Sequence, residues 1–245
     1  MAAVKGKVQA LVLLLVGVGV LRITLVGDLY LRYVKEGLRP FLIASGVLLV
    51  LTALAGLRDR APAHAHASDD DHDHGHDHGS APRVAWLLVP PALAMLAFAP
   101  PALGSYTAQR ESAKRVTTQD TKPRFAPLPK GNGPVPMTLT EFLERSGGDP
   151  ASLRGRTVTM TGFSTPDRRG WELTRLVVNC CAADSQSLKV RVRGATAPPA
   201  DQWVTVAGKT GPGGSLRVTD VRRIAQPPNP YMDAPPPPGS GAEPR

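Results

Sequence analysis

"VQALVLLLVGVGVLRITLVG", residues 8 to 27, is an apolar run with Arg22 as its only charge. At about 1.5 Å of rise per residue, a helix of this length reaches across the roughly 30 Å hydrocarbon core of a bilayer. The stretch reads as a membrane span. Arg22 stands near enough to its end for the long side chain to reach the headgroups. Lys5 and Lys7 precede the run as they would in a signal peptide, but no small-x-small cleavage site closes it before Asp28, so an uncleaved anchor is expected.

Working outward, "PFLIASGVLLVLTALAGL" (residues 40 to 57) carries no charge and reads as a second span, with Pro40 suited to a first helical turn whose N–H groups have no partner. "VAWLLVPPALAMLAFAPPAL" (84 to 103) reads as a third, framed by Trp86 and Tyr106 at interface depth and kinked at Pro90-Pro91. The expectation is a membrane α-helical N-terminal half of about three transmembrane helices, multi-pass in the cell membrane. Lysines and arginines nearly balance across the two faces. The first span then sets a cytoplasmic N-terminus and an extracytoplasmic C-terminal domain.

Residues 58–83, between the second and third spans, hold every histidine of the chain: His64, His66, His72, His74, His76 and His78. Asp71, Asp73 and Asp77 alternate with them in "SDDDHDHGHDHGS". Neutral imidazoles suit zinc or another divalent transition metal, and the carboxylates add negative charge that gathers cations. These nine residues are the candidate metal ligands of a loop expected to be unstructured. Each ion must order a floppy segment, and protonation below about pH 6.5 competes for the imidazoles, so modest affinity is expected.

The overall composition limits the alternatives. Three Trp, four Tyr and five Phe against 24 Gly and 25 Pro are a thin supply for one large soluble core. The net charge of +9 is dispersed and adjoins the spans, with no aromatic-basic motif. It points to anionic lipid headgroups rather than nucleic acid. No nucleophile-base constellation, phosphate loop or carboxylate pair is legible, so no enzymatic activity is expected.

Residues 107–136 read as a linker, and 137–225 have a different grammar. "MTLTEFLERSGG" predicts a short helix opened at Thr138 or Thr140 and closed by Gly147-Gly148. Five Val- and Thr-rich runs follow, at 156–163, 171–180, 188–194, 202–209 and 216–224, several alternating apolar with polar. They predict a small all-β, OB-like five-stranded barrel. Residues 226–245 read as a disordered Pro-rich tail. Cys180 and Cys181 end the second run in "RLVVNCCAADS", and with Asp184 they form a candidate thiol site that could offer three ligands to a soft or borderline ion. A buried thiol beside an exposed one is the plain structural alternative.

"DPASLRGRTVTMTGF", "RLVVNCCAADS" and "DQWVTVAG", following the apolar N-terminal half, resemble the YcgQ-like bacterial membrane proteins. The most specific element is Cys180, Cys181, Ala182 and Asp184. The resemblance implies a subunit of a two-component permease paired with a multi-span partner, and it assigns no catalytic residue. The expected function is therefore an accessory permease subunit handling divalent metal through the histidine loop. The alternative is a membrane-anchored module that senses ligand, metal or oxidant through the cysteine pair.

Overall fold

The computed structural model describes residues 2–58, 98, 101–110, 125–131 and 133–236, with side chains from Gln9 onward. Two compact units emerge, one holding the two N-terminal helices and the other holding residues 28–38 together with the chain from Ala102.

In the first unit α1 (Ala2–Leu25) packs on α2 (Arg39–Arg58). Glycine sets their approach. A Cβ on Gly17 would lie 2.9 Å from Val50 Cγ2 and 3.0 Å from the Gly46 carbonyl oxygen, and one on Gly46 would lie 2.9 Å from Leu21 Cδ2. Missing side chains let two backbones meet closely, as helices do in lipid. The hydroxyls of Thr24, Ser45 and Thr52 donate to the carbonyls of Val20, Leu42 and Leu48, so these polar groups are satisfied within their own helices. Leu11, Leu15, Phe41, Leu48 and Leu51 point outward and exposed.

Among the described residues one helix is long and apolar enough to cross a membrane: α2, with the turn before it from Glu36, at mean hydropathy 2.2. The apolar part of α1, Gln9–Leu25, is shorter. Of the third expected span only Phe98 and residues 101–103 are described. The histidine and aspartate run, with all nine candidate metal ligands, lies outside the described residues. Among the described residues, then, one of the three expected transmembrane helices is long and apolar enough to span.

The second unit is built around strands β1 (Val135–Pro136), β2 (Thr157–Asp167), β3 (Gly170–Val177), β4 (Gln186–Arg193), β5 (Trp203–Thr210) and β6 (Leu216–Arg223). Alternation drives them. Val158 and Met160, Leu188, Val190 and Val192, Val204 and Val206, and Leu216 and Val218 all turn to one core. Two further helices belong to this unit, α3 (Ser105–Arg110) and α4 (Leu139–Gly148). Leu139 and Phe142 of α4, fully buried, complete the core. The Thr138 hydroxyl caps α4 by accepting from the Glu141 N–H at 3.0 Å.

The strand order is β1-β2-β3-β4-β6-β5, with a further pairing between β2 and β5. This corrects the expected closed five-stranded barrel in two respects. β1 adds a sixth strand, parallel to β2 at Val135↔Val158 and Pro136↔Thr159. β4 and β6 run parallel and meet at two residue pairs, Val192↔Leu216 and Arg193↔Arg217, so the seam between them is short. The result is a six-stranded mixed sheet.

The register of β5 against β6 shifts between Ala207 and Gly208, which pair with Asp220 and Val218 and leave Thr219 of β6 as the extra residue. There a Cβ on Gly208 would run into the Arg217 carbonyl oxygen and come within 2.9 Å of Val218 Cα. Gly208→Ala is expected to cost about 1–3 kcal/mol, the usual penalty for forcing atoms into a packed site. Thermal melting of the purified protein checks this, and an unchanged midpoint would show that β6 yields freely.

A second cluster of Phe163, Leu176 and Trp203 packs beneath Ala108 of α3 and Tyr231. The Phe163 and Trp203 rings meet edge to face, with centroids 5.6 Å apart. The chain around these covering residues departs from expectation. Residues 102–110, expected to close the third span and open a linker, instead lie on the sheet: the Leu103 N–H donates to the Tyr231 hydroxyl at 2.9 Å, and the Ser105 N–H donates to the Asp201 carboxylate. The described part of the expected tail, residues 226–236, is likewise engaged, and the rest of it lies outside the described residues. Asp233 accepts from the N–H groups of Leu139 at 3.1 Å and Thr140 at 2.7 Å, supplying a second cap to α4. Asp233→Ala is expected to lower stability by about 1–2 kcal/mol, as lost caps do, and chemical denaturation reads it directly.

Candidate functional site: the vicinal cysteine loop

The loop between β3 and β4 carries the two cysteines. It turns through a short 3₁₀ segment, Ala182–Asp184, and the Asp184 carboxylate folds back on the residues that precede it. Oδ2 accepts from the Cys180 N–H at 2.8 Å, while Oδ1 accepts from those of Asn179 at 3.0 Å and Cys181 at 3.4 Å. Three successive amide donors form a concavity that suits an anion. The Cys180 thiol first, and then these amides, hold the Asp184 carboxyl below its ordinary value. Its contribution to the loop is therefore complete above the usual carboxylate range and lost as pH falls through the depressed value.

The thiols lie side by side, with Sγ atoms 3.7 Å apart, Cys180 exposed and Cys181 partly so. Both are free. Hydrogen bonding to Asp184, and then to Cys181, pushes the Cys180 thiol up to about 11. It is protonated at neutral pH, and a protonated thiol is a poor nucleophile. The structure brings Cys180, Cys181 and Asp184, the candidate thiol site, together in this loop. Their arrangement differs from a ligand set because the Asp184 oxygens are turned to backbone donors. Among the described residues no group of three or more His, Cys, Asp or Glu is placed to hold a metal ion.

The residues that sequence reasoning missed come from the connector between α1 and α2. Val34 forms an antiparallel bridge with Cys181. The Lys35 N–H donates to the Cys180 carbonyl at 3.0 Å, and the Ala182 N–H donates to that of Tyr33 at 2.7 Å. Tyr30 and Leu31 are buried beside this bridge in sequence. The available signal was "LYLRYV" (29 to 34), which is more apolar than a solvated interspan turn requires.

This loop lies inside a recognisable domain. Residues 138–232 match the DUF1980 C-terminal domain, found in a family of bacterial proteins. No curated protein and no solved structure matches the chain. The DUF1980 domain begins at Thr138, the residue that caps α4, and ends at Met232, next to the buried Tyr231. The boundary places residues 226–232 of the Pro-rich stretch within the matched domain. The helices, the connector and α3 all precede it.

Proposed function

We propose that the protein is an integral membrane accessory subunit that presents its DUF1980 domain on the membrane face reached by the α1–α2 connector. The carrying observation is the backbone pairing of Tyr33, Val34 and Lys35 with Cys180, Cys181 and Ala182. If α1 and α2 are consecutive spans, the connector and the domain that binds it share one face. The chain leaving α2 at Arg58 then starts on the other face and must recross before Ala102. The uncharged stretch at 84–103 is the segment available to do so. On this reading the histidine and aspartate run faces the side opposite the cysteines and gathers zinc-like ions there. Lysines and arginines nearly balance across the two faces, and a cytoplasmic N-terminus set by the first span would put that run in the cytoplasm. The resemblance to the YcgQ-like proteins adds a multi-span permease as the partner, which would supply the path that these helices do not.

Protease-cleavable tags inserted at Gly75 and after Arg245 test the arrangement. In intact cells and in inverted vesicles the two tags are expected to be cut from opposite sides, and cleavage of both from one side would overturn it. Zinc content tests the metal part. Replacing all six histidines with serine is expected to strip most of the bound zinc from the full chain, while Cys180→Ser with Cys181→Ser leaves it.

A second reading has its own observation, the 3.7 Å approach of two free thiols. It makes the pair a site for a thiophilic ion, whose binding displaces the thiol protons despite the high pKa of Cys180. The opposite zinc result, with loss on cysteine replacement and retention on histidine replacement, would establish it in place of the histidine loop.

A further inference from the structure

At the opposite end of β3 from the cysteines, a cavity of ≈ 460 Å³ opens among Arg169, Arg193 and Arg217, with Trp171, Gly194 and Ala195 along its wall. We infer that this cavity binds a phosphate group. It is a second site, independent of the thiol loop and of the membrane arrangement proposed above.

Charge is the first argument. Arg193 and Arg217 are register partners on adjacent parallel strands, about 4.8 Å apart at the backbone. Like charges placed opposite one another weaken a sheet. They do so here on a seam of just two residue pairs. Arg169 adds a third positive charge from the β2–β3 turn, and no acidic residue lines the cavity. The acids of this hairpin are engaged elsewhere. Asp167 pairs with Arg191 at 3.4 Å, and Glu172 stands opposite Arg191 in register. A bound anion would turn the Arg193–Arg217 repulsion into attraction.

Shape is the second argument. The Trp171 indole, 2% exposed, is fixed by donation from Nε1 to the Ala195 carbonyl at 3.2 Å, which gives the cavity a rigid wall. Gly194 has φ of 88°, and a Cβ there would sit 3.2 Å from the Val218 carbonyl oxygen. Glycine there lets the end of β4 turn close against the β6 backbone at the edge of the cavity. Because Trp171 presents almost no face, the site lacks the stacking surface that single-stranded nucleic acid needs. Three guanidinium groups exceed what one carboxylate neutralises. A phosphate monoester, at about −1.5 to −2, matches them better and accepts their forked donors in pairs.

Phosphate could come from a soluble ester or from a phospholipid headgroup, and calorimetric titration of the full chain in a non-ionic detergent separates the two. The probes are inorganic pyrophosphate and dioctanoyl phosphatidic acid. Saturable one-to-one binding of at least one probe is expected. Tighter binding of pyrophosphate assigns a soluble source, and tighter binding of the lipid by about tenfold assigns the headgroup. Arg193→Gln with Arg217→Gln is expected to weaken the tighter probe by at least tenfold. The control pair Arg222→Gln with Arg223→Gln removes equal charge from the far end of β6 and should change it less than twofold. If the first pair fails to fold, Arg169→Gln alone, in an exposed turn, should still weaken binding severalfold. Absence of saturation with both probes, or equal losses in the test and control pairs, would overturn the assignment.

Discussion

Arg175→Met is expected to destabilise the DUF1980 domain by about 3–5 kcal/mol, the range seen when one partner of a buried charged network is removed. Arg175 is 2% exposed. Its Nε donates to the Thr161 carbonyl at 2.9 Å and its Nη1 to that of Met232 at 2.8 Å. The guanidinium also lies 4.9 Å above the centre of the Trp203 ring. Burial lowers the pKa of the group, and the charge of Asp233 partly offsets that. Methionine fills much of the same space but donates nothing, so two carbonyls lose their donors and the residues around Met232 lose their tether. A steep fall in the thermal midpoint should accompany new protease cleavage between Pro227 and Pro236. Arg175→Lys keeps the charge without the fork and should fall between the two. If Arg175→Met melts within about 1 kcal/mol of the parent, the guanidinium does not hold this end of the chain.

Asp184→Asn should act on chemistry more than on the fold. The carboxylate both accepts from the Cys180 thiol and disfavours its thiolate, and together with Cys181 it sets the pKa near 11. An amide removes the negative charge and brings the thiol toward its ordinary range near 8.5. At pH 8 the thiolate fraction rises by more than tenfold, and alkylation by iodoacetamide should accelerate by roughly tenfold, because the lower-pKa thiolate is intrinsically less nucleophilic. The sign follows from which form is favoured. The folded state prefers the protonated thiol, so the native rate stays low until pH climbs through about 11, whereas the variant turns on well below that. Equal rates in the two proteins would show that Asp184 does not govern Cys180. Because asparagine still presents one acceptor oxygen to the three amides, retained loop structure separates this effect from local unfolding.

The five long strands were legible because Val and Thr alternate at a period that only a half-buried strand satisfies, and the α4 boundaries because Thr138 and Gly147-Gly148 are strong end signals. β1 was not. Two residues within a proline-rich stretch carry no period at all. The engagement of residues 227–236 was hidden for a related reason: proline content masks single residues such as Tyr231 and Asp233, whose anchoring depends on partners about ninety to 130 positions away in sequence. The thiol site was visible as a set of residues, yet what the loop does with them was hidden. Asp184 looks like a ligand in the sequence and serves as a backbone cap in the fold. The arginine cavity had no linear signature either, since strand order alone brings Arg193 beside Arg217.

The latch between the connector and the cysteine loop has an evolutionary corollary. The hydrogen bonds from Lys35 to Cys180 and from Ala182 to Tyr33 run between main-chain amides and carbonyls, so side-chain replacement at these residues leaves those two bonds untouched. Proline is the excluded substitution at Lys35 and Ala182, because it alone among the residue types deletes the amide hydrogen. Such an attachment can persist through wide drift in composition while leaving no shared word for a sequence comparison to find.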